Sequence, residues 1–114
     1  MTSGAKHAVF NSLAALINPG DEVIIPAPYW VTYPELVKWL GGTPVFIQAT
    51  KDAKFKITAE QLSAACTEKT KAILLNNPCN PTGAVYTKKE LADLAKVIVE
   101  KDIYCISDEV YEYF

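Results

Sequence analysis

Four short apolar runs rich in β-branched residues, Val23 to Ile25, Val45 to Ile47, Ile73 to Leu75 and Ile103 to Ile106, recur along this chain. The stretches between them are longer than the dozen or so residues a parallel crossover needs. That spacing excludes a hairpin-built β protein. It predicts an α/β fold, a partial parallel sheet with crossover helices on both faces, its four runs read as buried strands. The intervening stretches are amphipathic. The clearest runs from Lys88 to Glu100, with Leu91, Leu94, Ala95, Ile98 and Val99 assigned to one apolar face. Another helix is expected from Ser3 to Ile17. Three helix starts show a Ser/Thr-x-x-Glu/Gln capping box: Thr32 with Glu35, Thr58 with Gln61, and Thr87 with Glu90. Gly41-Gly42 ends one helix, Asn18-Pro19-Gly20-Asp21 turns the first helix into the first strand, and Pro81-Thr82-Gly83 breaks the chain after the third.

A length of 114 residues allows one domain. Half of these residues are hydrophobic and 21% are charged, enough for a core and too few charges for a disordered tail. Eleven lysines, no arginine and 13 acidic residues leave a net charge of −2, with no dense cationic stripe for a nucleic-acid backbone. No apolar run reaches the roughly 20 residues that span a bilayer, and no basic-then-apolar leader opens the chain. The expectation is a soluble, cytoplasmic protein. Cys66, Cys79 and Cys105 are odd in number, and two of them sit inside apolar runs, as small buried thiols of a reducing compartment do; no disulfide or metal framework is implied. His7 is a lone imidazole without metal-spaced neighbours, assigned to the polar face of the first helix. The chain opens almost at once in a helix and stops soon after Asp108, with Tyr111, Tyr113 and Phe114 calling for burial; the expectation is a piece of a longer protein.

In open parallel sheets, ligands bind beyond the carboxyl ends of the strands. After the first strand comes Pro26-Ala27-Pro28-Tyr29-Trp30, after the third Asn76-Asn77-Pro78-Cys79-Asn80-Pro81-Thr82-Gly83, and after the fourth Ser107-Asp108-Glu109-Val110-Tyr111. An aromatic, an amide, a carboxylate and a phenol therefore share one edge. Ser3-Gly4-Ala5-Lys6 adds a helix N-terminus, whose free amides and positive dipole end favour an anion such as phosphate. A flat, charged, phosphorylated ligand matches the set. Each part also has an ordinary reading: Trp30 as a core cap, Asp108 as a loop or capping carboxylate, Asn80-Pro81-Thr82-Gly83 as a turn. Asn76 and Asn77 receive no role. Tyr29, Tyr33, Trp39, Tyr86, Tyr104 and Tyr113 are assigned to packing.

Taken in order, Ser3-Gly4-Ala5-Lys6, Pro28-Tyr29-Trp30, Asn77 to Gly83 and Ser107-Asp108-Glu109-Val110-Tyr111 resemble the fold-type I pyridoxal-phosphate aminotransferases, and among them the bacterial type of aspartate aminotransferase. The resemblance covers essentially the whole chain but only part of that family's large, cofactor-binding domain and none of its small domain. It implies pyridoxal 5′-phosphate as cofactor. Gly4, Ala5 and Lys6 correspond to the family's phosphate-holding loop, Trp30 to the aromatic stacked on the pyridine ring, and Asp108 to the carboxylate paired with the ring nitrogen. Tyr111 and Asn80 correspond to the donors to the ring's phenolate oxygen, and Trp30 and Asn80 also face substrate. Amino acids and 2-oxo acids are the implied substrates, with aspartate and 2-oxoglutarate giving oxaloacetate and glutamate, in a homodimeric parent.

The family's Schiff-base lysine stands beyond the segment matched by Asp108 to Tyr111, and none of the 11 lysines sits in its motif, so no catalytic residue is assigned. The fragment is expected to be inactive alone and open to non-native association. Without arginine it also lacks the planar forks that read substrate carboxylates. The alternatives are another aminotransferase or a carbon–sulfur lyase of the same fold-type, and a non-catalytic regulator with an aminotransferase-like domain. An unrelated nucleotide-binding domain would need a Gly-x-Gly-x-x-Gly turn after the first strand, which is absent.

Overall fold

A computed structural model describes residues 1–113; Phe114, one of the aromatics expected to be buried, lies outside the described residues. The elements alternate: α1 (Ala5–Leu16), β1 (Glu22–Ala27), α2 (Thr32–Trp39), β2 (Thr43–Gln48), α3 (Ala59–Ala65), β3 (Thr70–Asn76), α4 (Lys88–Glu100) and β4 (Tyr104–Asp108). The strands form one parallel sheet in the order β2-β1-β3-β4. The fold is α/β, with helices on both faces, because alternate residues of each central strand supply two separate cores. Val23 and Ile25 of β1, with Ala72 and Leu74 of β3, pack against Val9 and Leu13 of α1 and Val37 of α2. Ile24, Ile73 and Leu75 point the other way, onto Leu62 of α3 and Leu94 and Val97 of α4.

The central strands β1 and β3 are the most buried, with only Glu22, Pro26, Thr70 and Lys71 partly exposed. β2 and β4 were expected to be buried but lie at the sheet edges, where one side has no strand partner and several side chains stay exposed, Phe46 and Tyr104 among them. Cys105 on β4 is likewise exposed, while Cys66 and Cys79 are half-buried, so the two buried thiols expected among the three are not found. Tyr111 and Tyr113 are exposed too.

Two capping boxes form as expected. The Thr58 and Thr87 hydroxyls accept from the amides of Gln61 and Glu90, whose side chains accept in return from the backbone amides of Thr58 and Thr87. The Thr32–Glu35 box does not form. Val31 is already helical at φ −54°, ψ −21°, and the Tyr33 amide donates to the Trp30 carbonyl, so the turn begins earlier and leaves Thr32 inside the helix instead of at its cap. In α4 the buried stripe is Leu94 and Val97, flanked by half-buried Leu91 and Ile98. Ala95 and Val99, expected on that stripe, face outward. Helix α2 closes with the amides of Gly41 and Gly42 donating to Lys38 and Val37, which needs the left-handed backbone of Gly41 at φ +86°.

The strand order also positions the site. From β1 the chain leaves through α2 to one side of the sheet, and from β3 it leaves through α4, across the opposite face, to the other side. Such a reversal opens a crevice at the carboxyl ends of the two strands. The ladder agrees: β1 pairs with β3 only as far as Ile24–Ile73, while β3 stays paired with β4 to Asn76–Asp108. Pro26 offers no amide to either neighbour at that point.

Candidate functional site

At this rim Ala5, Trp30, Tyr33, Asn76, Asn80, Asp108, Val110 and Tyr111 enclose a pocket of about 170 Å³. Of the residues singled out from sequence, Ala5, Trp30, Asn80, Asp108 and Tyr111 line it together. Gly4 adjoins it as the N-cap of α1, and Lys6 leans over Trp30 with its Nζ 5.1 Å from the ring centroid. A larger groove of about 580 Å³ lies between Ala53 to Glu60 and the outer side of α4. Four of its five charged groups are paired with one another, Lys56 to Glu90 and Lys96 to Asp93, which leaves the Glu60 carboxylate as its one charge outside these pairs.

The start of α1 is built for an anion. Gly4 stands at φ +89°, and no side chain caps the first amides. A helix N-terminus without a cap offers those donors and its dipole to a ligand. Ser3 does not use its hydroxyl here; its amide donates to Nδ1 of the exposed His7 at 3.0 Å.

Asp108, at the end of β4, is only 7% exposed. A carboxylate removed from water must find partners. Its Oδ2 accepts from the Tyr33 hydroxyl at 2.5 Å and its Oδ1 from the Val110 amide at 3.2 Å. Among the described residues no cation pairs with it. Burial first, and then the hydrogen bond and charge of Asp108, push the Tyr33 hydroxyl far above the ordinary phenol range, so at neutral pH it is a donor. Tyr33 also meets Trp30 edge-on, with centroids 5.4 Å apart and planes at 88°, which fixes the indole plane. Tyr33 was assigned to packing, and it is in fact part of the site. The only local signal is its place three residues after Trp30; its partner lies 75 positions away.

Asn76, also without an assigned role, is buried at 8% exposure and uses both ends of its amide: Nδ2 donates to the Asp108 carbonyl at 3.0 Å and Oδ1 accepts the Asn80 amide at 2.7 Å. The Asn77 amide donates to the same carbonyl, and its Oδ1 accepts from Tyr86. Asn80 Nδ2 in turn donates to the Tyr111 hydroxyl at 3.4 Å. Of the other aromatics set aside, Tyr29 stacks on Phe46, Tyr86 accepts the Ile57 amide, and Trp39 stands exposed beside Phe10.

The family model for aminotransferases of class I and II matches residues 1–114. The chain belongs to that family. Class I and II aminotransferases are pyridoxal-phosphate-dependent, and the donor set described above fits that cofactor: uncapped amides for a phosphate, an aromatic face, and a buried carboxylate without a cation partner among the described residues. An aspartate aminotransferase from Bacillus sp. (strain YM-2) is 57% identical over 109 residues, covering 96% of this chain and 28% of that protein. A solved Thermus thermophilus aspartate aminotransferase double mutant superposes with TM-score 0.95 at 47% identity, over 97% of this chain and 29% of that one. An aromatic aminotransferase from Pyrococcus horikoshii OT3 superposes with TM-score 0.94 at 44% identity, over 97% of this chain and 30% of that one. The chain thus spans between a quarter and a third of the relatives it matches.

Proposed function

We propose that these residues are part of the cofactor-binding large domain of a longer aminotransferase, which moves an amino group from aspartate to 2-oxoglutarate. The observation that carries this reading is Asp108, a buried carboxylate held by two neutral donors with no cation paired to it among the described residues, beside an aromatic face and an uncapped helix start. Pyridoxal phosphate, when bound, supplies a conjugated ring that accepts electrons from the substrate's Cα.

The chain's own residues then do the following. Gly4, Ala5 and Lys6 offer backbone amides to the phosphate, with no Cβ at Gly4 to hold the ligand off. Trp30 presents its face and sets the ring plane. Asp108 holds a proton on the ring nitrogen by its charge, and Tyr33 keeps that carboxylate aimed. Asn80 and Tyr111 donate to the ring oxygen, and Trp30 and Asn80 also face the substrate. The lysine that holds the cofactor and shuttles the proton, and the arginines that grip carboxylates, come from the parent beyond these residues. We place the parent in the cytoplasm as a homodimer serving amino-acid biosynthesis; the free cysteines fit a reducing compartment, and no described helix is long and apolar enough to cross a membrane.

A second reading keeps the cofactor and changes the amino donor, since the Pyrococcus horikoshii aromatic aminotransferase shares this part of the fold as closely as the Thermus enzyme does. Incubating the full-length parent with pyridoxal phosphate, 2-oxoglutarate and each of a panel of amino acids separates the readings. Glutamate formed fastest with aspartate as donor, together with oxaloacetate, supports the first; preference for an aromatic donor supports the second. Absence of transfer from every donor overturns both and leaves a carbon–sulfur lyase of the same fold-type or a non-catalytic regulator.

A further inference from the structure

We propose that Asn76 is a positioning residue, whose side-chain amide bridges the backbone of Asn80 to the strand end bearing Asp108 and so sets both contacts on the cofactor ring together. The inference rests on the cofactor reading above. Asn76 ends β3, where Ala72, Ile73, Leu74 and Leu75 are all buried and apolar, and an aliphatic residue in its place would continue that core without desolvating an amide. The cost is offset only because both polar ends are used, and both reach site elements. Its Nδ2 donates to the Asp108 carbonyl, already gripped by the Asn77 amide, and its Oδ1 takes the Asn80 amide.

The two partners lie in different segments. Asn80 follows β3 in a loop turned by the Gly83 amide donating to Cys79 and the Cys79 amide donating to Ala84, whereas Asp108 belongs to β4. Apart from Asn76 and the long contact from Asn80 Nδ2 to Tyr111, the side chain of Asn80 is aimed only by its own backbone. Fixing that backbone amide therefore fixes the direction of Nδ2 toward the ring oxygen. Asn76 also borders the pocket, but both ends of its amide are engaged by Asp108 and Asn80, so it acts through them and its loss is felt as misdirection of Asn80.

The test is a double-mutant cycle in the full-length parent with Asn76→Ala, Asn80→Ala and both. The readouts are the titration midpoint of the bound cofactor's visible absorbance and hydrogen exchange at the Asn80 amide in the cofactor-free protein. Removing a hydrogen bond to the ring oxygen raises that midpoint. The expectation is a rise of about one pH unit in Asn76→Ala, nothing further when it is added to Asn80→Ala, and exchange at Asn80 faster by about tenfold or more. If Asn76→Ala does not fold, Asn76→Ser, too short to span both partners, carries the same expectation. An unchanged midpoint, or shifts that add in the double variant as for a residue contacting the ligand directly, overturns the inference while leaving the cofactor reading intact. An unmodified parent that shows no lysine-bound visible band overturns both.

Discussion

Tyr33 donates its hydroxyl to Oδ2 of Asp108 across 75 positions of sequence, tying the first turn of α2 to the end of β4. Both side chains are almost wholly buried at the wall of the pocket. Tyr33→Phe removes the donor and keeps the ring. Chemical denaturation of the full-length parent should show a loss of about 1–3 kcal/mol, the cost of leaving a buried acceptor unsatisfied. Cofactor dissociation should also quicken, because the carboxylate is no longer aimed. A variant as stable and as tightly loaded as the unmodified protein would show that the bond contributes to neither.

The same hydroxyl sets an alkaline limit. Burial raises the Tyr33 pKa far above that of an exposed phenol, and burial raises Tyr86 as well. A raised folded-state pKa means that the unfolded chain loses its protons first. The contribution is full below the unfolded phenol value of about 10 and is lost as pH climbs from there toward the folded value. Thermal melting between neutral pH and pH above about 10 should show this decline, and Tyr33→Phe should flatten it. A melting profile in which the variant declines as steeply as the unmodified protein contradicts the assignment.

The two outcomes at Thr87 and Thr32 separate a formed cap from an apparent one. Thr87→Ala removes the hydroxyl that accepts the Glu90 amide and should cost about 1 kcal/mol. Thr32→Ala touches no cap and should stay within about 0.5 kcal/mol of the unmodified protein. Urea midpoints measured side by side decide this, and equal losses would contradict the observed start of α2.

Gly42 is required by space, not by backbone freedom. A Cβ there would sit 3.0 Å from Cδ1 of Ile17 and from Cγ1 of Val37, and 3.3 Å from the Asp21 carbonyl. Gly42→Ala should destabilise by about 1–3 kcal/mol through overpacking where α1 and α2 meet β1. Calorimetry that finds the variant unchanged would mean this junction is loosely packed.

The fold was legible wherever periodicity and capping chemistry act locally. The four strands, the extent of α4 from Lys88 to Glu100, and the boxes at Thr58 and Thr87 all follow from residues a few positions apart. What could not be read depends on neighbours far along the chain. Val45 to Ile47 and Ile103 to Ile106 look like core strands in isolation, and only the strand order places them at edges. Thr32 has the spacing of a cap, but the turn starting at Trp30 overrides it. At the site, Trp30, Asn80, Asp108 and Tyr111 could be placed on one rim because each follows a strand. Tyr33 and Asn76 could not, because a buried phenol or carboxamide declares its role only through a partner on another strand or helix.

The sheet divides the apolar interior into two half-cores that share backbone but few side chains. Trp30 and Tyr33 rest on the half formed with α1 and α2, and α4 closes the other. Heat-sensitive lesions should therefore sort by side. Truncating Leu94 weakens the scaffold and leaves the indole where it is, whereas truncating Leu13 or Val37 loosens the platform beneath the ring-binding groups. The α4 side thus serves the scaffold alone, while the α1 and α2 side carries both the scaffold and the platform for the ring-binding groups.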